Sequence, residues 1–219
     1  MFGIISMPIF RKELFQTKAR KQRLARASTT LSLEKSAVGE RIVRVPAVKW
    51  GGEVNNFESI DAKTNHHLSS AINTFVNRFP KRKVNVLDWG CYTSPAVKEL
   101  AQNSRLSVFG YSRDADPSML LSKKVRYLQT GRKQLVKYFN KYKIKFDVIY
   151  SNGGLKNIPL PELVDYLISL KDCLRVGGKI FPDLIWSPYR HREIFSELQK
   201  AGFKLELNHN QLMCLTKIK

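Results

Sequence analysis

Short apolar runs alternate with amphipathic stretches from Val84 to the C-terminus, and this alternation restricts the fold more than any other feature of the chain. Residues 84–88, 106–112, 125–129, 146–151 and 179–186 read as strands, rich in Val, Ile, Leu, Phe and Tyr. Residues 95–103, 117–122, 131–142, 161–174 and 189–201 read as the helices between and after them. Strands separated by helices run parallel, because a parallel pair needs a long crossover connection. Helices then cover both faces of the sheet, so its strands are apolar throughout rather than alternately. Gly177-Gly178 predicts the turn into the fifth strand, and Gly202 a helix end. Residues 203–207 and 211–217 face each other across Asn208-His209-Asn210 as a closing hairpin. A plain dinucleotide-binding domain does not require that hairpin, and no G-x-G-x-x-G follows the first strand.

Ahead of this pattern the chain changes character. Residues 1–45 hold ten Lys/Arg against three acids and read as a basic arm. Pro, Gly-Gly and Asn-Asn mark residues 45–57 as linker. A helix follows, with Asp61 as its expected N-cap, and Leu68, Ala71, Ile72, Phe75, Val76 and Phe79 form one apolar stripe that Pro80 ends. The expected organisation is an arm and linker over 1–57, a helix packing on the fold over 58–82, and the main domain over 83–219.

The formal net charge is +20, from 38 Lys+Arg against 18 Asp+Glu, which points to a polyanionic partner. Between residues 123 and 145 stand nine Lys/Arg and no acid, with Tyr127, Tyr138, Phe139 and Tyr142 among them. Basic side chains beside aromatics suit a phosphate backbone and its bases. Lys133, Lys137 and Lys141, with Arg20 and Arg23 of the arm, are the candidate nucleic-acid contacts, and RNA is the preferred partner. No apolar run is long enough to span a bilayer. Cys91, Cys173 and Cys214 lie far apart without a CxxC pair, and His66-His67 has no partners at zinc spacing, so neither a disulfide framework nor a metal site is expected. An intracellular, preferably cytoplasmic, location follows, while the Arg, Lys, Ala, Ser and Thr of residues 11–30 leave organelle import open.

Doubly wound sheets bind ligands at the carboxyl ends of their strands, where the strand order reverses. The first strand ends V-L-D-W-G-C-Y-T-S-P (residues 86–95), the second F-G-Y-S-R-D-A-D-P-S-M-L (residues 109–120) and the fourth F-D-V-I-Y-S-N-G-G (residues 146–154). Taken in order, with the closing hairpin, these resemble motifs I, II and IV of the class I S-adenosylmethionine-dependent methyltransferases. The resemblance covers roughly residues 83–219 and implies a doubly wound, mostly parallel seven-stranded α/β sheet with a C-terminal antiparallel hairpin.

The family's first motif is D-x-G-x-G-x-G; Asp88 and Gly90 match it, while Tyr92 and Ser94 stand at its later glycines. Ser94 before Pro95 suits a helix N-cap, so Tyr92 is the real departure. The resemblance implies S-adenosylmethionine as cofactor, near Asp88, Gly90, Cys91, Ser151 and Asn152. Asp114 would bridge the ribose hydroxyls, with Asp116 and Ser112 as alternatives. The third strand ends Gln129-Thr130 without the acid the family often places near the adenine. No base is singled out among Asp183, Tyr189, His191 and Lys156. Three functions compete: a nucleic-acid methyltransferase, a lapsed methyltransferase fold that binds RNA or the ribosome, and a small-molecule methyltransferase.

Overall fold

The computed structural model describes residues 33–35, 41–43, 56–91, 95–112, 124–155, 158–185, 192–208 and 211–218. Within the expected arm, β1 (Leu33–Lys35) and β2 (Arg41–Val43) pair antiparallel as a sheet of their own, which the basic composition did not announce.

The segment expected to form one helix over 58–82 is two, and the apolar stripe lies on the second. Helix α1 (Phe57–Lys63) and helix α2 (His67–Arg78) are separated by Asn65 and His66, with φ of 51° and 61°. Asn and His tolerate this left-handed region better than most residues. Asn56, not Asp61, caps α1, its side chain accepting the Ser59 N–H at 2.8 Å. Asp61 is buried near the end of α1, where its carboxylate accepts the Ser69 N–H of α2 at 2.8 Å and faces His66 Nδ1 at 3.1 Å. Burial pushes this carboxyl up, but the hydrogen bonds from Ser69 and His66 outweigh it and hold the group below its usual range. Asp61 is therefore a cap, but one supplied to α2 across the break between the two helices. Leu68, Ala71, Ile72 and Phe75 bury the inner face of α2.

The main sheet contains β3 (Val84–Trp89), β4 (Leu106–Tyr111), β5 (Val125–Leu128), β6 (Phe146–Ser151), β7 (Leu174–Phe181), β8 (Leu184–Ile185), β9 (Phe203–Asn208) and β10 (Gln211–Lys217). Its order is β5-β4-β3-β6-β7-β10, with β9 on the far side of β10 and the two-residue β8 beside the start of β10. Strands β3 to β7 are parallel to their neighbours, and β10 runs antiparallel to both β7 and β9. The seven longer strands are those the sequence predicts, and β8 makes an eighth. Helices α3 (Pro95–Leu100), α4 (Arg132–Lys141), α5 (Leu160–Lys171) and α6 (Arg192–Lys200) complete the described elements.

Two apolar layers sandwich the sheet. Leu135 and Phe139 of α4 and Leu167 and Leu170 of α5 share one layer with Leu87, Phe109 and Ile149. Leu68 and Phe75 of α2 and Ala96 and Val97 of α3 share the other with Val86, Val148 and Tyr150. All six residues of β6 are buried, Asp147 and Ser151 among them, because both faces of the sheet are covered here.

The Gly177-Gly178 pair is not the turn the sequence predicts. It lies inside β7, which starts at Leu174, so that Phe146 pairs with Leu174 but Val148 with Lys179. The extra residues form a bulge, with φ of 78° at Gly177. A Cβ on Gly178 would come within 2.9 Å of the Arg175 carbonyl oxygen.

At the amino ends of the strands, Asp147 has a side chain 0% exposed. Arg82 donates to both its oxygens, at 2.8 and 2.7 Å, and the Asn85 N–H donates at 2.9 Å. The Arg82 guanidinium also lies 4.0 Å from the Phe79 ring centroid. Among the described residues, no helix is long and apolar enough to cross a membrane.

Candidate functional site

The strand order reverses at β3: β4 and β5 lie to one side, β6 and β7 to the other. The carboxyl ends of β3 and β6 therefore flank the switch point. At the end of β3 the chain turns sharply. Gly90 has φ of 86°, a conformation that favours glycine, and the N–H groups of Gly90 and Cys91 both donate to the Tyr111 carbonyl, at 2.7 and 2.9 Å. The turn is thus pinned to the end of β4.

The loop after β6 closes on this turn. Ser151 is buried, and its Oγ accepts the Leu155 N–H at 3.2 Å. Gly153 has φ of 76°. A Cβ on Gly154 would sit 2.7 Å from the Trp89 carbonyl oxygen and 3.1 Å from Gly90 Cα, so the loops meet backbone to backbone. Asn152 accepts a hydrogen bond from Lys63 at 2.8 Å, which ties the end of α1 to the same loop.

Gly154→Ala should force the two loops apart. We expect at least a tenfold loss of affinity for any ligand held between them, and a stability loss of about 1–3 kcal/mol from overpacking. Titration calorimetry and urea denaturation of the variant check the two effects separately.

Asp88 is 1% exposed and accepts a hydrogen bond from Tyr150 Oη at 2.9 Å. The two residues are register partners on β3 and β6. Burial pushes the Asp88 carboxyl up to about 7, against the opposing effect of the Tyr150 bond. Burial, with the neighbouring Asp88 charge, also raises the Tyr150 phenol well above its ordinary range. On the opposite face Trp89 packs against Tyr111 and Tyr166, with ring centroids 4.2 and 4.8 Å away. Tyr111 Oη donates to the Thr130 carbonyl at 3.0 Å, fixing the end of β5.

The structure thus gathers Asp88, Gly90, Cys91, Ser151 and Asn152 around one switch point. Ser112 is buried at the end of β4. Tyr92, Ser94, Asp114, Asp116, Lys156, Tyr189, His191, Arg20 and Arg23 lie outside the described residues. Asp183 sits between β7 and β8 with φ of 49°. Lys133, Lys137 and Lys141 are exposed on α4, apart from the gathered residues. Burial raises the Cys173 and Cys214 thiols to about 12 and about 11, so neither is a ready nucleophile. Among the described residues no group of three His, Cys, Asp or Glu could hold a metal ion.

Sequence reasoning did not find Tyr150, Lys63 or Gly154. Tyr150 carried a signal: a phenol near the end of a buried strand, after Val148 and Ile149, needs a buried hydrogen-bond partner.

A search of solved structures finds the same architecture. MycE methyltransferase from the mycinamycin biosynthetic pathway, in complex with Mg and SAH, superposes with a TM-score of 0.51 at 12% identity, over 76% of this chain. The chain has the class I methyltransferase fold. It spans about half the length of that relative, 49% of it. SAM-bound CalS10, an amino pentose methyltransferase from Micromonospora echinaspora, superposes with a TM-score of 0.50 at 14% identity, over 74% of this chain and 96% of its own. No family model matches the sequence, and a search of curated proteins finds no match.

Proposed function

We propose that this chain is an S-adenosylmethionine-dependent methyltransferase whose acceptor is a nucleic acid, RNA by preference. The observation that carries the reading is the Gly90 turn. A positive-φ glycine stands at the end of the central strand, at the switch point, where a cofactor can approach backbone without a Cβ in the way. The two relatives above bind SAH and SAM.

Gly90, Cys91 and the Ser151–Asn152 loop would hold the cofactor, with the ribose acid at Asp114. When bound, the cofactor supplies a methyl group already activated by its sulfonium charge, so the chain's own work is chiefly positioning. Asp88 contributes indirectly, by joining β3 to β6 through Tyr150. The acceptor class rests on charge: +20 overall, with nine Lys/Arg and no acid over residues 123–145.

Two observations favour a second reading, a lapsed enzyme retained for RNA binding. The Asp88 carboxylate is shut away beneath Tyr150, and β5 is followed by Gln129-Thr130 rather than an acid. Calorimetric titration with S-adenosylhomocysteine separates the two. The methyltransferase reading expects micromolar binding. A folded sample that binds RNA but shows no heat with S-adenosylhomocysteine would replace it with the lapsed enzyme. Binding of S-adenosylhomocysteine without RNA would instead leave a small-molecule methyltransferase.

A further inference from the structure

We infer that helix α4, with the neighbouring edge strand β5, is the face along which the sugar-phosphate backbone of the nucleic acid lies. This rests on the nucleic-acid reading above and adds where and how the strand is held.

Lys133, Lys137 and Lys141 are all exposed. Four-residue steps on a helix rise about 6 Å each, so the three ammonium groups form a row about 12 Å long at their bases. One strand of a duplex carries a phosphate about every 3.4 Å along its axis, so a row of this length meets several phosphates in succession. The row stands on a rigid base, because Leu135 and Phe139 on the inner side of α4 are 0% exposed. Phe139 packs edge-on against Phe109 and Phe146, with centroids 6.5 and 4.7 Å away. The exposed Arg126 of β5 extends the charge sideways. Its guanidinium lies 5.3 Å from the centroid of the same Phe109 ring that Phe139 packs on.

Nothing on the helix neutralises the row. Helix α4 contains no acid, and no acid occurs between Asp116 and Asp147. The acid of α5 that reaches this region is Glu162, 3.9 Å from Arg132 at the start of α4. Like charges four residues apart repel, so the helix carries a repulsion that a polyanion relieves. Direction matters as well. Helix α4 starts just after the carboxyl end of β5, where Thr130 is tied to Tyr111, so its Lys133 end lies nearer the Gly90 turn. A strand held from Lys141 to Lys133 is therefore led toward the switch-point site.

A nucleic acid suits this face better than an anionic membrane. A membrane-binding helix presents large apolar residues beside its cations. Among the described residues the exposed large apolar ones are Leu160, Val176, Leu207 and Ile218, none of them on α4 or β5.

The test uses the full chain and labelled single-stranded and hairpin RNA, with affinity measured across a salt series. In K133Q/K137Q/K141Q the affinity at fixed salt should fall at least tenfold. The log–log salt slope for the single strand should fall by about 2, the value for three lost phosphate contacts. K81Q/K83Q/K200Q removes three exposed lysines elsewhere and should bind RNA as the parent does. S-adenosylhomocysteine binding should be equal in all three proteins, which also verifies folding. If the parent binds RNA and the α4 variant binds it equally well, this face is wrong while the nucleic-acid reading survives. If the parent binds vesicles containing phosphatidylserine but no RNA, both the face and the nucleic-acid reading fall. Binding to neither has the same consequence.

Discussion

Asp147→Ala should lower the unfolding free energy by about 3–5 kcal/mol, the range for removing one member of a buried, hydrogen-bonded ion pair. The carboxylate side chain is fully buried. It receives both terminal nitrogens of Arg82 and the backbone N–H of Asn85. It thereby fastens β6 to the start of β3 and to the segment leaving α2. Alanine strands the Asn85 amide and leaves the Arg82 guanidinium without its bidentate partner. Arg82 is 30% exposed, so water recovers part of the loss and the lower end of the range is the better guide. Arg175→Ala is the contrast. Its Nε is 3.6 Å from Asp147 and its side chain 42% exposed, so its removal should cost about 1 kcal/mol or less. Urea denaturation of the two variants checks the difference; equal losses would mean that Asp147 is not the fastening.

The second large effect is one of pH. The Asp88 carboxyl titrates near 7 in the folded protein, against an ordinary 3.8. From about pH 4 to about pH 7 the folded chain holds a proton that the unfolded chain has released. The favourable contribution of that proton is therefore complete below pH 4 and lost as pH rises through 7. The interval from 3.8 to about 7 corresponds to about 4 kcal/mol between the two ends. Asp88→Asn removes the titration while keeping an oxygen that can accept the Tyr150 hydroxyl. Relative to the parent, it should gain up to about 4 kcal/mol between pH 4 and pH 8. Unfolding free energies of both proteins at these two pH values check this. An unchanged difference would show that Asp88 titrates as an ordinary carboxylate.

Much of the architecture was legible because burial on two faces leaves an unmistakable pattern. Residues 146–151 read as a strand and are one, since every side chain there meets a covering layer. Helix α4 was equally plain, with Leu135 and Phe139 one turn apart among polar residues. Two places misled. The apolar stripe starts only at Leu68, so it left the left-handed break at Asn65-His66 unmarked, and Asp61 ahead of it looked like a local cap. A Gly-Gly pair after a helix ordinarily marks a turn, but here the same freedom is used by a bulge within β7. Of the site, the Gly90 turn was visible in sequence because an acid, a glycine and an apolar strand stand together there. The neighbours that surround it come from residues far along the chain.

The sequence by itself determined the alternation of strands and helices, the layered architecture that alternation implies, and the strand-end motifs that resemble those of the methyltransferases. Only the tertiary structure decided what the polar residues meet. Asp88 finds Tyr150, which lies 62 residues away, Asn152 finds Lys63, 89 away, and Gly154 finds the Trp89–Gly90 backbone. The reason is physical. Periodicity along a chain records the direction in which a side chain points, whereas a hydrogen bond or a close backbone approach depends on a separation of a few ångströms that packing alone establishes.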